Sequence, residues 1–273
     1  MANPINVLNH AADNIRILAA AAVEKAKSGH PGGAMGGADF INVLYSEYLK
    51  YDPKNPAWAA RDRFYLDPGH MAPMLYAQLC LAGKYTLDEL AALRQWGSPT
   101  TGHPEFDIFR GVENTSGPLG QGHVFAIGAA IAAKFLAAHT GNPSFEKETI
   151  YAYISDGGIE EEISQGGARV ASVLGLDNLI MFYDSNDIQL STETKEVLNE
   201  DTAAKYRALG WEVFEINGND AAQIRSAIEA AQKVKGKPSL IIGKPCLRVA
   251  LQTCGPGEYG DSDRTQPRRS QER

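Results

Sequence analysis

Ser155-Asp156-Gly157 follows the apolar run Ile150–Ile154, and Asn186 follows the next such run, Leu179–Tyr183. The two polar residues stand 30 positions apart, about one strand–helix–strand unit. In a parallel sheet that spacing brings a carboxylate and a carboxamide to the same edge, on neighbouring or nearby strands. Mg²⁺ takes about six oxygens and often draws several from phosphates. Asp156, Asn186 and the carbonyl of Ile188 could supply three, with a diphosphate and water supplying the rest. Gly157 would let the backbone approach a phosphate closely. Asp-Gly-Gly and Ser-Asn-Asp are also good turn sequences, so a plain turn stays open at each.

Thr115-Ser-Gly-Pro-Leu-Gly-Gln-Gly-His123 opens an alanine-rich helical stretch from Val124 to Ala138. Glycines ahead of a helix offer N–H groups to an anion, with the helix dipole in support; they serve tight packing equally well. Three of the six histidines, His30, His70 and His103, each follow a glycine in a glycine-rich turn. A proline after His30 and after His103 favours extended backbone there, which suits side chains aimed into a cleft. Neutral imidazoles in a cleft can polarise a carbonyl or shuttle protons; in a turn they can also simply cap backbone groups. No cysteine or paired histidine at ligand spacing accompanies them, which argues against zinc.

The elements that must position these residues follow from periodicity. Helices are expected over Val7–Lys27, Asp39–Leu49, Ala72–Leu81, Leu87–Arg94, Val124–Ala138, Glu161–Leu174, Asp201–Leu209 and Ala221–Val234. Strands are expected over Arg63–Leu66, Ile150–Ile154, Leu179–Tyr183, Trp211–Ile216 and Ser239–Ile242. Strands alternating with helices of this length predict an α/β fold, a doubly wound, mainly parallel sheet flanked by helices. The stretch from Gly97 to Gly122 is long for a connection, and loops of that length are often functional.

Composition fits a globular chain: 44% of the 273 residues are apolar and 22% charged, enough to bury a full core. A formal net charge of −7 leaves no basic footprint for nucleic acid. A bound diphosphate must therefore be held locally, by backbone amides and a metal. Cys80, Cys246 and Cys254 form no paired framework, which suits a reducing, cytoplasmic setting. The N-terminus has no signal-peptide pattern, and no run of 18 apolar residues predicts a membrane span. From Gln252 onward there is no Ile, Leu, Val, Met, Phe, Trp or Ala, so residues 246–273 are expected to form a disordered tail beyond a domain of residues 1–245.

Ser28-Gly-His-Pro-Gly, Asp62-Arg-Phe…Gly69-His70, Gly102-His-Pro-Glu, Gly117-Pro-Leu-Gly-Gln-Gly and Asp156-Gly…Asn186, in this order, resemble the N-terminal, thiamine diphosphate-binding domain of transketolase. The likeness runs from about residue 8 to Lys244. It implies a ketol-transferring fold with thiamine diphosphate and Mg²⁺ or Ca²⁺ as cofactors and sugar phosphates as substrates. It implies metal ligation by Asp156, Asn186 and the Ile188 carbonyl. Gly117, Pro118, Leu119, Gly157, His70 and Asn186 would line the cofactor. His30 and His103 would contact the sugar, and Glu161 would lie at a dimer interface linking two active sites; by position alone Glu161 reads as a surface carboxylate. Ser155 stands where the family usually has glycine. The family's later segment and its histidine loop have no counterpart, since Lys244 leads into Pro245-Cys-Leu-Arg-Val and no histidine follows it. The Arg-rich end is compatible with a truncated or frame-shifted reading. The pyrimidine-binding domain, with the glutamate that activates thiamine, is not represented. Two functions follow: one subunit of a split transketolase working with a pyrimidine-binding partner as a homo- or hetero-oligomer, or a non-catalytic fragment that folds and binds cofactor without turnover.

Overall fold

The computed structural model describes residues 2–186 and 193–244; Ile188 and the proposed tail lie outside them. Five strands form one sheet: β1 (Arg63–Leu66), β2 (Ile150–Ser155), β3 (Leu179–Asp184), β4 (Glu212–Asn217) and β5 (Ser239–Lys244), in the order β1-β2-β3-β5-β4. Every pairing is parallel, so the expected "mainly parallel" sheet is wholly parallel among the described residues. β2 and β3 are buried along their whole length, as strands covered on both faces must be.

Alternate residues of each strand feed two cores. Phe64, Leu66, Tyr151, Tyr153, Ile180, Phe182 and Ile241 face one side. There they meet α1 (Ile5–Ala26), α3 (Ala38–Val43), α4 (Ala72–Leu81) and α11 (Ala221–Ala231). The Phe40 ring of α3 stacks on Phe182 at 4.0 Å between centroids. Ala152, Ile154, Met181, Tyr183, Leu240 and Ile242 face the other side, against α6 (Gln121–Thr140), α9 (Glu162–Val173) and α10 (Thr202–Ala208). By length and composition α6 could span a membrane, which the search for an unbroken apolar run did not anticipate. Here its Ala126, Ile127, Ala130 and Ala133 are buried against the sheet.

The structure adds elements that periodicity did not reveal. Pro31–Gly36 forms a one-and-a-half-turn helix, α2, with Pro31 in its first turn and His30 as its extended N-cap. The expected helix Asp39–Leu49 is an α-helical segment running into a π turn at Leu44–Tyr48. Helix α5 covers Leu87–Ala91 under a reciprocal Thr86–Glu89 capping box, and α7 covers Pro143–Glu146. Asp156-Gly-Gly is no open turn: Asp156–Glu160 forms the short helix α8, broken from α9 by extended backbone at Glu161.

The junction of β1 and α6 is tight. A Cβ placed on Gly122 would stand 2.6 Å from the Asp67 Cα and 2.8 Å from the Leu66 carbonyl oxygen. Both neighbours are backbone, so neither can swing aside. Gly122→Ala should therefore push α6 off the sheet edge and cost about 1–3 kcal/mol, as overpacking does. Equilibrium urea unfolding measures this; an unchanged midpoint would refute the close approach.

Candidate active site

The site is built where parallel strands end. β2 and β3 pair through Ser155 opposite Asp184, so Asp156 and Asn186 emerge side by side at the carboxyl edge. Asp156 is buried. It accepts hydrogen bonds from the Tyr183 hydroxyl and, at 3.3 Å, from the Asn186 backbone N–H. Beside it Asp184 is also buried, and its Oδ2 has no hydrogen-bond partner among the described residues. Burial, foremost, raises the Asp184 carboxyl to about 7; the Asp156 charge adds to this, and Tyr153 and Asn186 oppose it. Two buried acidic side chains lie side by side here, an environment that a hard cation relieves. No group of three or more His, Cys, Asp or Glu residues suited to a metal occurs among the described residues. A metal here would have to complete its shell with Asn186, backbone and phosphate oxygens. Ile188, expected as the third protein donor, lies outside the described residues.

The loop Gly117-Pro118-Leu119 lies against this turn. The Leu119 Cδ1 atom is 2.9 Å from where a Gly157 Cβ would be. A Cβ on Gly117 would meet nothing within 4 Å, so open space lies beside the loop. Asn114 fastens it to β1, taking the Leu66 N–H and giving an N–H to the Leu66 carbonyl. Ser116 N–H donates to the Pro104 carbonyl. The long segment before α6 is therefore an ordered, self-bonded loop over these residues. One expectation is corrected: the start of α6 is not a row of free donors. The Asp67 carboxylate accepts from Gly120 N–H at 3.0 Å and His123 N–H at 3.1 Å. An anion beside this loop would use the donors ahead of that cap.

Three histidines converge from separate turns. His30 and His70 rings lie edge to face at 5.1 Å. His103 Cδ2 is 2.7 Å from where a Gly69 Cβ would be, and Gly117 N is 3.0 Å from the same point. His30, His70, His103 and the Gly117 loop are thus gathered around one glycine. Arg94, itself in left-handed backbone, gives a hydrogen bond to Ser28 Oγ and packs on Gly102, tying the His30 and His103 turns together. A cleft of about 1150 Å³ opens beside His103, lined by Ser28, Arg94, Trp96, Thr101 and Arg110. Glu161 is exposed and packs against Gly120, on the far wall of the Gly117 loop; the structure gives it no contact with the histidines. Sequence reasoning overlooked Asp67, His123, Tyr183, Asp184 and Arg94. Asp67, Asp156 and Asp184 each sit at or just past the end of a strand, a regularity that would have flagged the first and last.

A transketolase family model, described as the thiamine diphosphate-binding domain, matches residues 7–254. Transketolase 1 of Escherichia coli (strain K12) is 45% identical over 240 residues, covering 86% of this chain but 36% of the relative. The transketolase of Leishmania mexicana superposes with a TM-score of 0.83 at 41% identity, over 89% of this chain and 37% of that one. A Pichia stipitis transketolase in complex with sedoheptulose 7-phosphate gives a TM-score of 0.84 at 37% identity, over 87% of this chain and 36% of that one. The fold is therefore that of a thiamine diphosphate-binding α/β domain. The chain belongs to the transketolase family and corresponds to its N-terminal domain, spanning about a third of the length of these relatives.

The histidine cluster yields a pH prediction. Burial, foremost, and then the charges of His30 and His103 push His70 down to about 4, with Asp67 opposing. His70 is thus neutral near pH 7, able to accept or donate one hydrogen bond. Its folded value lies below the ordinary 6.5, so its contribution to stability is present above pH 6.5 and is lost as pH falls through 4. His70→Asn should flatten the stability–pH curve between those values. NMR titration of the wild-type ring should give a midpoint near 4; a midpoint at 6.5 would refute the burial argument.

Proposed function

We propose that this chain is the diphosphate- and metal-binding half of a transketolase-type enzyme that moves two-carbon ketol units between sugar phosphates. The observation that carries this is the convergence, at one carboxyl edge, of a paired Asp156 and Asn186, the Gly117–Leu119 loop and three histidines. Mg²⁺, or Ca²⁺, would be held by Asp156, Asn186 and the Ile188 carbonyl. Gly117, Pro118, Leu119, Gly157, Asn186 and His70 would receive thiamine diphosphate. When bound, the thiazolium supplies a carbanion equivalent and an electron sink.

The chain's own residues have a narrower role. The buried carboxylates make affinity depend on the cation, because a diphosphate brought alone to Asp156 and Asp184 meets like charge. His103, which lines the cleft, and His30, whose ring lies against His70, would hold the sugar hydroxyls and carbonyl and exchange protons with them. Burial, foremost, with Arg94 and His30, lowers the pKa of His103, which favours the neutral ring such exchange needs. Glu161, exposed beside Gly120, would meet a second chain. α6 and α9 also present exposed apolar side chains, among them Phe125, Phe135, Val173 and Leu174. That supports an oligomer in which a pyrimidine-binding subunit or domain covers this face. The domain would run over residues 1–245, followed by the tail 246–273.

Thiamine diphosphate with Mg²⁺ should stabilise the chain against heat, by about 2.7 kcal/mol at a hundredfold excess over Kd. Asp156→Ala should weaken that binding at least tenfold, about 1.4 kcal/mol. Equal stabilisation of variant and wild type would remove Asp156 from the site.

The purified chain should show no ketol transfer by itself, even saturated with cofactor. Good orientation supplies roughly 7–11 kcal/mol of such a barrier, and a cofactor held by its diphosphate end alone forgoes most of it. Addition of a pyrimidine-binding chain should restore turnover in a coupled assay. Robust turnover by the chain alone, abolished in Asp156→Ala, would contradict the half-enzyme reading. Cofactor binding without turnover under every pairing would favour the non-catalytic fragment.

A further inference from the structure

Asp67 and His123 form the most buried acid–base pair of this edge, and none of the roles above uses them. Asp67 is fully buried at the end of β1, and His123 is 2% exposed in the first turn of α6. The Asp67 Oδ2 atom accepts from His123 N–H at 3.1 Å and stands 3.0 Å from His123 Nδ1. Its Oδ1 accepts from Gly120 N–H at 3.0 Å. The carboxylate thus closes the helix start and the ring in one set of bonds. Nε2 of His123 is buried with no hydrogen-bond partner among the described residues. Among the described residues Asp67 is therefore the one polar anchor of the ring, and donation to its carboxylate puts the proton on Nδ1.

The carboxylate also touches the opposite wall. A Cβ on Gly158 would stand 2.6 Å from Asp67 Oδ1, so Asp67 abuts the first turn of α8, Asp156–Gly158, on one side and the Gly117–Gly120 loop on the other. The two walls close on each other at Leu119 and Gly157. A buried carboxylate with three N–H partners is costly to displace, because each lost bond leaves a charged oxygen unsatisfied.

We infer that Asp67 and His123 are a positioning pair for the diphosphate site: Asp67 sets the gap between the Gly117–Gly120 loop and the Asp156–Gly158 turn, and His123 holds the carboxylate in place. The inference rests on the diphosphate reading of that gap. Neither side chain is a cofactor ligand, and the pair acts through the backbone of the two walls.

The test is calorimetric titration of the full chain with thiamine diphosphate and Mg²⁺, alongside thermal unfolding without cofactor. Asp67→Asn keeps the shape but turns an acceptor into a donor facing His123. His123→Leu removes the ring donor. Each should weaken cofactor binding by about tenfold or more, the size of losses typical when groups behind a metal site are removed. His123→Asn, whose amide nitrogen can stand where Nδ1 does, should stay within about threefold of wild type. The Asp67→Asn/His123→Leu double variant should be no weaker than the weaker single one, as coupled residues behave. Wild-type affinity in Asp67→Asn and His123→Leu, however far their melting points fall, would overturn the inference and leave the pair a structural cap. Should Asp67→Asn fail to fold, the contrast between His123→Leu and His123→Asn decides. A wild-type chain that binds no thiamine diphosphate would overturn the diphosphate reading, and this inference with it.

Discussion

Buried negative charge at the ends of parallel strands is the constraint on which the rest of this structure depends. Asp67, Asp156 and Asp184 terminate or follow β1, β2 and β3, and all three are buried. Isolated carboxylates in such a place are expensive, and the fold answers each one differently. Asp67 is met by three N–H groups of α6 and its first turn. Asp156 is met by the Tyr183 hydroxyl and Asn186 N–H. Asp184 is answered by a carboxyl pKa raised to about 7.

Close approach is the second consequence. Gly36 lies 3.9 Å from Asp184 Oδ2 when given a Cβ, and Gly37 would collide with Met74 and Tyr153. A Cβ on Gly33 would stand 3.0 Å from Met71 Sδ, so glycine at Gly33 and at the C-cap Gly37 lets α2 descend onto the sheet edge and carry His30 against His70. The same logic holds at Gly69, around which His103 and Gly117 gather.

The strands were legible because β2, β3 and β5 are buried on both faces and read as unbroken apolar runs. The 30-residue step from Asp156 to Asn186 was legible because one strand–helix–strand unit fixes it. Pro31–Gly36 was not: four glycines and prolines in six residues argue against a helix, and this one exists because Pro31 presets its first turn and α1 and α4 pack against it. Asp156–Glu160 was hidden for the same reason, two glycines in a five-residue helix. Asp67–His123 was hidden because its residues lie 56 positions apart, and no local pattern announces a pair made by tertiary packing. Arg94 was hidden because its left-handed backbone at φ 62 is set by the loop it closes.

The central claim is that Asp156 and Asn186 bind a cation through which this edge receives a diphosphate. The most direct measurement is a crystal structure of the chain grown with thiamine diphosphate and Mn²⁺, with the metal located by anomalous scattering. The account predicts one strong peak bonded to Asp156, to Asn186 and to diphosphate oxygens, with the diphosphate beside Gly117–Leu119 and Gly157. A metal and diphosphate bound together elsewhere, with no metal at Asp156, would contradict it.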